Sequence, residues 1–349
     1  MKYVVLKGCA GLGNRLITAM KAIQYAKITD RCLFIDWSDG LLGPKGINIF
    51  DEYFQIVDKE IKLLNTNDKS KNILLYILKK GASSYPYSLN EKDINESLYD
   101  CFYCNDTLIS KKVPLYRAII SFLFKYKLGM LLGLQCWIRK PKTGVGYKKM
   151  LLNINGDDCF CLGGSLKRNM KEDIVLFADF RPLCNMSEFN TTIRLRDTYR
   201  KRFEKFAKEN GLNNAIGIHV RYTDKKPKRK LVCLINIIER IMLNDENMKL
   251  FLSTDNLDIQ NMFKTKYNDR VIIYPKYLPE NSIIGLHKWA EINVSQNQKK
   301  IMFEESLADM YLLSMCKYLF WQGNSSFSYI SKLLKDEKST TVNWLGWLR

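Results

Sequence analysis

The sequence predicts an α/β protein built from two successive units, each with a parallel sheet. Three observations carry that expectation. Tyr3–Lys7 and Cys32–Asp36 are apolar, strand-like runs separated by one helical stretch, a βαβ order that calls for parallel strands. A second alternation opens with AIGIHVR at 215–221 and continues through KLFLST (249–254) and RVIIYP (270–275). Finally, 349 residues exceed one ordinary core and suit two domains, and an apolar fraction of 46% is that of a globular chain.

The elements follow in order. Residues 15–29 read as a helix, with Leu16, Ala19, Met20, Ile23 and Ala26 on one face. DIVLFA (173–178) is a further strand, and 191–210 is a basic amphipathic helix that stops at Gly211. In the second unit, helices lie near 231–243 and 257–267. A helix over 304–318, a short strand LFWQG and a turn–helix over 324–334 come next. The expected layout is an N-terminal domain over 1–190 and a C-terminal domain over 191–349, two Rossmann-like halves facing a cleft. Within the first, residues 110–150 are apolar, aromatic and basic at once. Lys125, Lys127, Gly129 and Gly133 interrupt them too often for a spanning helix. They read either as a helix lying in a membrane interface or as a hairpin packed on the domain.

Composition narrows the chemistry. A net charge of +19 suggests nucleic acid, an anionic membrane surface or phosphorylated ligands, or simply a soluble lysine-rich surface. The ten cysteines are scattered, several within apolar runs, which is the habit of buried free thiols. Cys101-x-x-Cys104 and Cys159-x-Cys161 could together form a zinc site, but the second pair has poor spacing for a zinc ribbon or finger, so no metal site is expected. The N-terminus opens on a strand rather than a basic-then-apolar leader, so a reducing, cytoplasmic compartment is expected. With only His219 and His287, a histidine-rich metal centre is excluded.

Three motifs sit at strand ends. Gly8-Cys-Ala-Gly11-Leu-Gly13-Asn14-Arg15 follows a strand and opens a helix, like a dinucleotide fingerprint. Leu16 stands where that fingerprint has Gly or Ala, and no Gly-Lys-Ser/Thr follows. The loop offers helix N-terminal N–H groups, Asn14 and Arg15 to an anion; the plainer alternative is a tight turn with a solvent-exposed arginine. His219-Val220-Arg221-Tyr222-Thr223-Asp224 ends an apolar strand, where open α/β sheets bind ligands. There Arg221 can make two charge-assisted bonds to a diphosphate. His219 reads equally as a core histidine. Ser253-Thr254-Asp255 and Gly323-Asn324-Ser325-Ser326 complete a set of polar strand ends in one unit. No Asp-x-Asp occurs, so a phosphate would be neutralised by arginine, lysine and helix dipoles.

Taken together, GLGNRL, IDWSD, IGIHVRYTDK and FLSTD followed by SLADMYLLSMCKYLFWQGNSSFSYIS resemble the fucosyltransferase superfamily of the GT-B fold. The likeness is to bacterial nodulation and core α-1,6-fucosyltransferases, over residues 1–40 and roughly 190–335. The resemblance implies an inverting, metal-independent transferase without a cofactor, using a nucleotide-sugar donor. By position, Arg221 would hold the β-phosphate of GDP, and His219 and Asp309 would meet guanine or ribose. Ser325 or Ser326 would meet the phosphates, and Asp224 and Asp255 would shape the site. Gly13 and Asn14 would line the donor, and Arg15 would lie across the cleft near phosphate or acceptor. The chain departs from the core-fucosylating members at Tyr222, where they carry a second arginine. It departs again at Arg229, where they carry the glutamate expected as general base.

The expected reaction moves L-fucose from GDP to a hydroxyl of a bacterial surface glycan, of O-antigen or capsule type. The acceptor is a glycan or lipid-linked oligosaccharide at the inner face of the plasma membrane, with peripheral membrane contact. Asp224, Asp36 and Asp39 are the candidate bases. GDP-mannose or a GDP-dideoxyhexose remains an alternative donor. A non-catalytic basic protein that binds membrane or nucleic acid is the alternative of another class, but no nucleic-acid module is readable.

Overall fold

A computed structural model describes residues 1–8, 11–64, 68–85, 135–137, 151–153, 171–177, 185–224, 226–280, 282, 284–335 and 340–345. Apart from a short antiparallel pair, Gln135–Trp137 with Leu151–Asn153, the 110–150 stretch lies outside the described residues, as do Cys101, Cys104, Cys159 and Cys161. The chain folds as two units. One comprises Met1–Ala10, Ile17–Asp39 and Asp58–Asn185; the other comprises Gly11–Leu16, Gly40–Val57 and Met186–Arg349. The main crossing falls between Asn185 and Met186, and two N-terminal stretches, Gly11–Leu16 and Gly40–Val57, go with the second unit. Among the described residues no helix is long and apolar enough to cross a membrane.

The first unit holds β1 (Tyr3–Lys7), α1 (Leu12–Thr29, shared with the second unit), β2 (Cys32–Asp36), α2 (Asp68–Lys79), β3 (Ser84–Tyr85) and β4 (Ile174–Phe177). Its strands are parallel in the order β2-β1-β4-β3. Tyr3, Val5, Phe34, Ile174 and Leu176 are buried with Leu74 of α2. The expected apolar stripe of α1, from Leu16 to Ala26, is buried throughout. The helix stops at Asp30, whose left-handed φ of 52° lets the Arg31 N–H donate to the Ala26 carbonyl at 2.9 Å. It begins at Leu12, three residues earlier than expected, so Gly13 and Asn14 lie inside its first turn.

Parallel register sets Lys7 beside Asp36, and their side chains pair at 2.7 Å while fully buried. The Ser38 N–H donates to the same carboxylate at 3.0 Å, and the Ser38 hydroxyl also bonds it. Burial alone would push the Asp36 carboxyl up. The Lys7 and Lys71 ammonium groups and these bonds prevail and hold it below the ordinary carboxylate range. Asp36 is thereby a framework residue rather than a proton acceptor. Because its folded pKa is depressed, its stabilisation is present above the unfolded value and lost as pH falls through the folded one. An Asp36→Asn variant, which leaves Lys7 buried without its counter-ion, should lose about 3 kcal/mol at pH 7. That loss should shrink toward zero as the parent's own carboxyl protonates in acid, as urea midpoints at a series of pH values will show.

The second unit holds α3 (Asp197–Glu209), β5 (Ala215–Val220), α4 (Lys228–Leu243), β6 (Lys249–Thr254), α5 (Leu257–Tyr267), β7 (Val271–Ile272), α6 (Leu286–Asn293), α7 (Gln296–Met315), β8 (Tyr318–Trp321), α8 (Ser326–Leu334) and β9 (Thr340–Asn343). Gly211, at φ 67°, ends the α3 turn as its position promised. All five strands are parallel, in the order β7-β6-β5-β8-β9. β7 is shorter than RVIIYP suggested: it is an edge strand in which only Val271 and Ile272 pair with β6. The core below the sheet is Ile216, Ile218, Leu234, Ile238, Leu250, Leu252 and Phe263. Strand order reverses between β5 and β8. In open parallel sheets, ligands bind at the carboxyl ends of the strands flanking such a reversal.

Candidate active site

At that reversal the chain leaves β5 as Arg221-Tyr222-Thr223-Asp224. Arg221 Nε and Nη2 donate to the two Asp224 carboxylate oxygens at 2.6 and 2.8 Å, a two-point bond that fixes the guanidinium plane. The Arg221 backbone N–H donates to Gln322 Oε1 at 2.8 Å, and the Gln322 amide donates to Asn324 Oδ1 at 2.9 Å. One fully buried side chain just past β8 thus ties both strand ends together. Asp255, just past β6, accepts from the N–H groups of Tyr222 (2.7 Å) and Thr223 (3.2 Å) and from the Thr223 hydroxyl (2.5 Å). Its carboxylate is occupied in shaping the 221–224 turn.

The glycine-rich N-terminal loop meets the same neighbourhood. A Cβ on Gly13 would stand 2.5 Å from the Ser326 carbonyl carbon and 2.6 Å from Phe327 N, both backbone atoms of the first turn of α8. A Cβ on Gly11 would stand 3.5 Å from the His287 ring. One on Gly285 would stand 3.1 Å from Arg221 Nη2 and 3.4 Å from His287 Nδ1. The first turns of α1 and α8 therefore meet, and Arg221 and His287 flank Gly285 close by. Each helix N-terminus carries roughly half a positive charge, so the positive ends of two helix dipoles meet at this corner. Asn14 and Arg15 are both buried, which rules out the reading of a turn with a solvent-exposed arginine. A Gly13→Ala variant has no room to relax, since only backbone opposes the new methyl. We expect it to cost at least the ~1–3 kcal/mol of ordinary overpacking, measured by chemical denaturation.

Asp309 of α7 is buried. Ser253 Oγ donates to its Oδ2 at 2.9 Å, and the buried Lys276 ammonium pairs with the same oxygen. Burial pushes the Asp309 carboxyl up, against the pull of Lys276. The other oxygen, Oδ1, and the hydroxyl of Ser325, at the N-cap of α8, are buried without a hydrogen-bond partner among the described residues. Buried polar atoms are seldom left so. His219 stacks its ring on Phe327, centroids 5.1 Å apart and planes at 29°, while its carbonyl accepts from Trp344 Nε1 at 3.1 Å. The amide of Gly323 is taken by Asn343 Oδ1 at 3.0 Å, so that N–H serves the β8–β9 junction.

Gln322 and Lys276 carry no motif signal in the sequence, and His287 stands out there only as one of two histidines. Gln322 abuts the quoted turn and is legible as a polar residue closing an apolar strand. Lys276 is hidden among 55 basic residues. Among the described residues, no three His, Cys, Asp or Glu side chains gather as a metal site.

This architecture is mixed α/β with parallel sheets, the fold of GT-B fucosyltransferases. The chain is similar to the fucosyltransferase NodZ from Bradyrhizobium, at 18% identity and a TM-score of 0.56 over 96% of this chain and 94% of that one. A NodZ α-1,6-fucosyltransferase structure soaked with GDP-fucose gives the same score over 96% and 93%. POFUT1 in complex with GDP matches at 12% identity and a TM-score of 0.53, over 98% of both chains. In sequence, 24% identity over 365 residues relates 95% of this chain to a galactoside 2-alpha-L-fucosyltransferase of Arabidopsis thaliana. The chain spans 57% of that relative's length. No protein-family model matches the sequence.

Proposed function

We propose that this chain is an inverting, metal-independent glycosyltransferase that moves L-fucose from GDP-fucose to a hydroxyl of a surface glycan. The observation that carries the reading is the corner formed by Arg221 and the meeting N-termini of α1 and α8, at the strand-order reversal. The fold's relatives carry GDP or GDP-fucose in their structures, which supports the donor class. In the reaction the acceptor oxygen bonds to the anomeric carbon as the bond from that carbon to the GDP oxygen breaks. Negative charge grows on the leaving diphosphate, and Arg221 with the two helix ends is placed to stabilise it. Asp309 Oδ1 is our candidate acceptor for the guanine N–H groups, and Ser325 Oγ for a phosphate bond. The hydroxyl's proton goes to a carboxylate, for which Asp224 is our candidate, one of its oxygens being freed as the diphosphate takes over a guanidinium N–H of Arg221.

We place the acceptor, a glycan or lipid-linked oligosaccharide, at the cytoplasmic face of a bacterial membrane. Tyr222 and Arg229, which depart from the core-fucosylating pattern, favour keeping a second donor in view, GDP-mannose or a GDP-dideoxyhexose. The test is sugar release and transfer across GDP-, UDP- and dTDP-sugars in the presence of a chelator. Turnover of GDP-fucose alone supports the reading. Turnover of another GDP-sugar moves it to the second donor, and turnover only of UDP- or dTDP-sugars, or only with metal, overturns it.

A further inference from the structure

His287 is a titratable side chain that the proposed reaction leaves unused. It is the second residue of α6 and half-buried, and its ring edge bearing Nδ1 and Cε1 borders two glycines. A Cβ on Gly11 would stand 3.5 Å from both of those ring atoms, and one on Gly285 would stand 3.3 Å from Cε1 and 3.4 Å from Nδ1. A side chain at either position would cover that edge. The Gly285 point is also 3.1 Å from Arg221 Nη2, so the two nitrogens border one small space. Gly285 has φ −59° and ψ 143°, a conformation open to any residue, so the backbone does not call for glycine there. What its missing side chain secures is that space. Gly11, Arg221, Gly285 and His287 all belong to the second unit.

We propose that His287 is a second side-chain donor to the diphosphate held by Arg221, its ring N–H and Nη2 addressing that group across the space Gly285 leaves open. Nη2 carries two N–H bonds, and the contact with Asp224 Oδ2 uses one. An imidazole has two nitrogens, so one can be anchored in the protein while the other meets a ligand. The charge of Arg221 and the positive end of α1, which starts one residue after Gly11, favour an anion here over a neutral hydroxyl. That the anion is a nucleotide's diphosphate rests on the proposed function.

Titration calorimetry of the full-length protein with GDP and with inorganic pyrophosphate, which has no base to recognise, tests the assignment. The parent should bind both. His287→Leu should weaken both about tenfold or more, the effect of losing a hydrogen bond to a charged group. His287→Asn, which keeps an N–H near the Nδ1 position, should recover most of that loss. Gly285→Ala, whose methyl enters the space between the two nitrogens, should weaken both ligands at an unchanged melting temperature. If His287→Leu melts early, His287→Gln takes its place, since its amide lies at the Nε2 position and should not rescue. Undiminished affinity in the folded Leu or Gln variant, or in Gly285→Ala, overturns the proposal and leaves the donor reading standing. An asparagine variant as weak as the leucine one also overturns it. A parent that binds pyrophosphate through His287 but ignores GDP upholds the proposal and overturns the donor reading. A parent that binds neither overturns both.

Discussion

Replacing Arg221 by lysine should cut turnover of GDP-fucose by about 10²–10³-fold, the usual effect of removing one preorganised donor from a developing oxyanion. Lysine keeps the charge but loses the planar fork, and the fork is what Asp224 holds at 2.6 and 2.8 Å. The pair is partly exposed, so its loss should move stability by no more than the ~0–1 kcal/mol of a surface ion pair. The two readouts therefore separate. A steady-state assay beside a thermal melt should show activity lost with the fold intact. Full activity in the lysine variant would remove Arg221 from the mechanism.

A second large effect is expected at Asp309. Replacing it by alanine strands the Lys276 ammonium in the interior, and removing one partner of a buried pair costs ~3–5 kcal/mol. That result alone would say nothing about function. The informative variant is Asp309→Leu/Lys276→Met, which replaces the pair with apolar groups of similar size. Such exchanges are often neutral or stabilising. It should recover most of the lost stability and still fail to bind GDP, because Oδ1 is the atom assigned to the base. Recovered stability with undiminished GDP affinity would make the pair purely structural.

The fold was legible because apolar runs and helical stripes agree locally with the parallel sheets they build. AIGIHV, KLFLST and the Leu16–Ala26 stripe each form the element and bury the face that their spacing implied. Less was legible where tertiary neighbours decide. Gly11–Leu16 reads as part of the first βαβ unit, yet Gly13 is shaped by backbone more than 300 residues away. Strand β9 gives little apolar signal, since TTVN is a half-exposed edge. At the site, Arg221 and the serine turn were visible as polar residues ending apolar strands. The role of Gln322 was not, because its side chain bonds the Arg221 backbone at the end of another strand. Asp36 looked like a candidate base, and only the strand register, which sets Lys7 beside it, makes it a framework ion.

The central claim is that a guanine nucleotide diphosphate binds where β5, α1 and α8 meet, without a metal. It is tested most directly by thermal melts of the parent and of Arg221→Ala with GDP, UDP and ADP in chelator. At a hundredfold excess over Kd, bound GDP should stabilise the parent by about 2.7 kcal/mol, a rise of several degrees. UDP and ADP should do far less, and Arg221→Ala should lose most of the GDP response. Equal shifts with all three nucleotides, or an undiminished GDP shift in Arg221→Ala, would contradict the account.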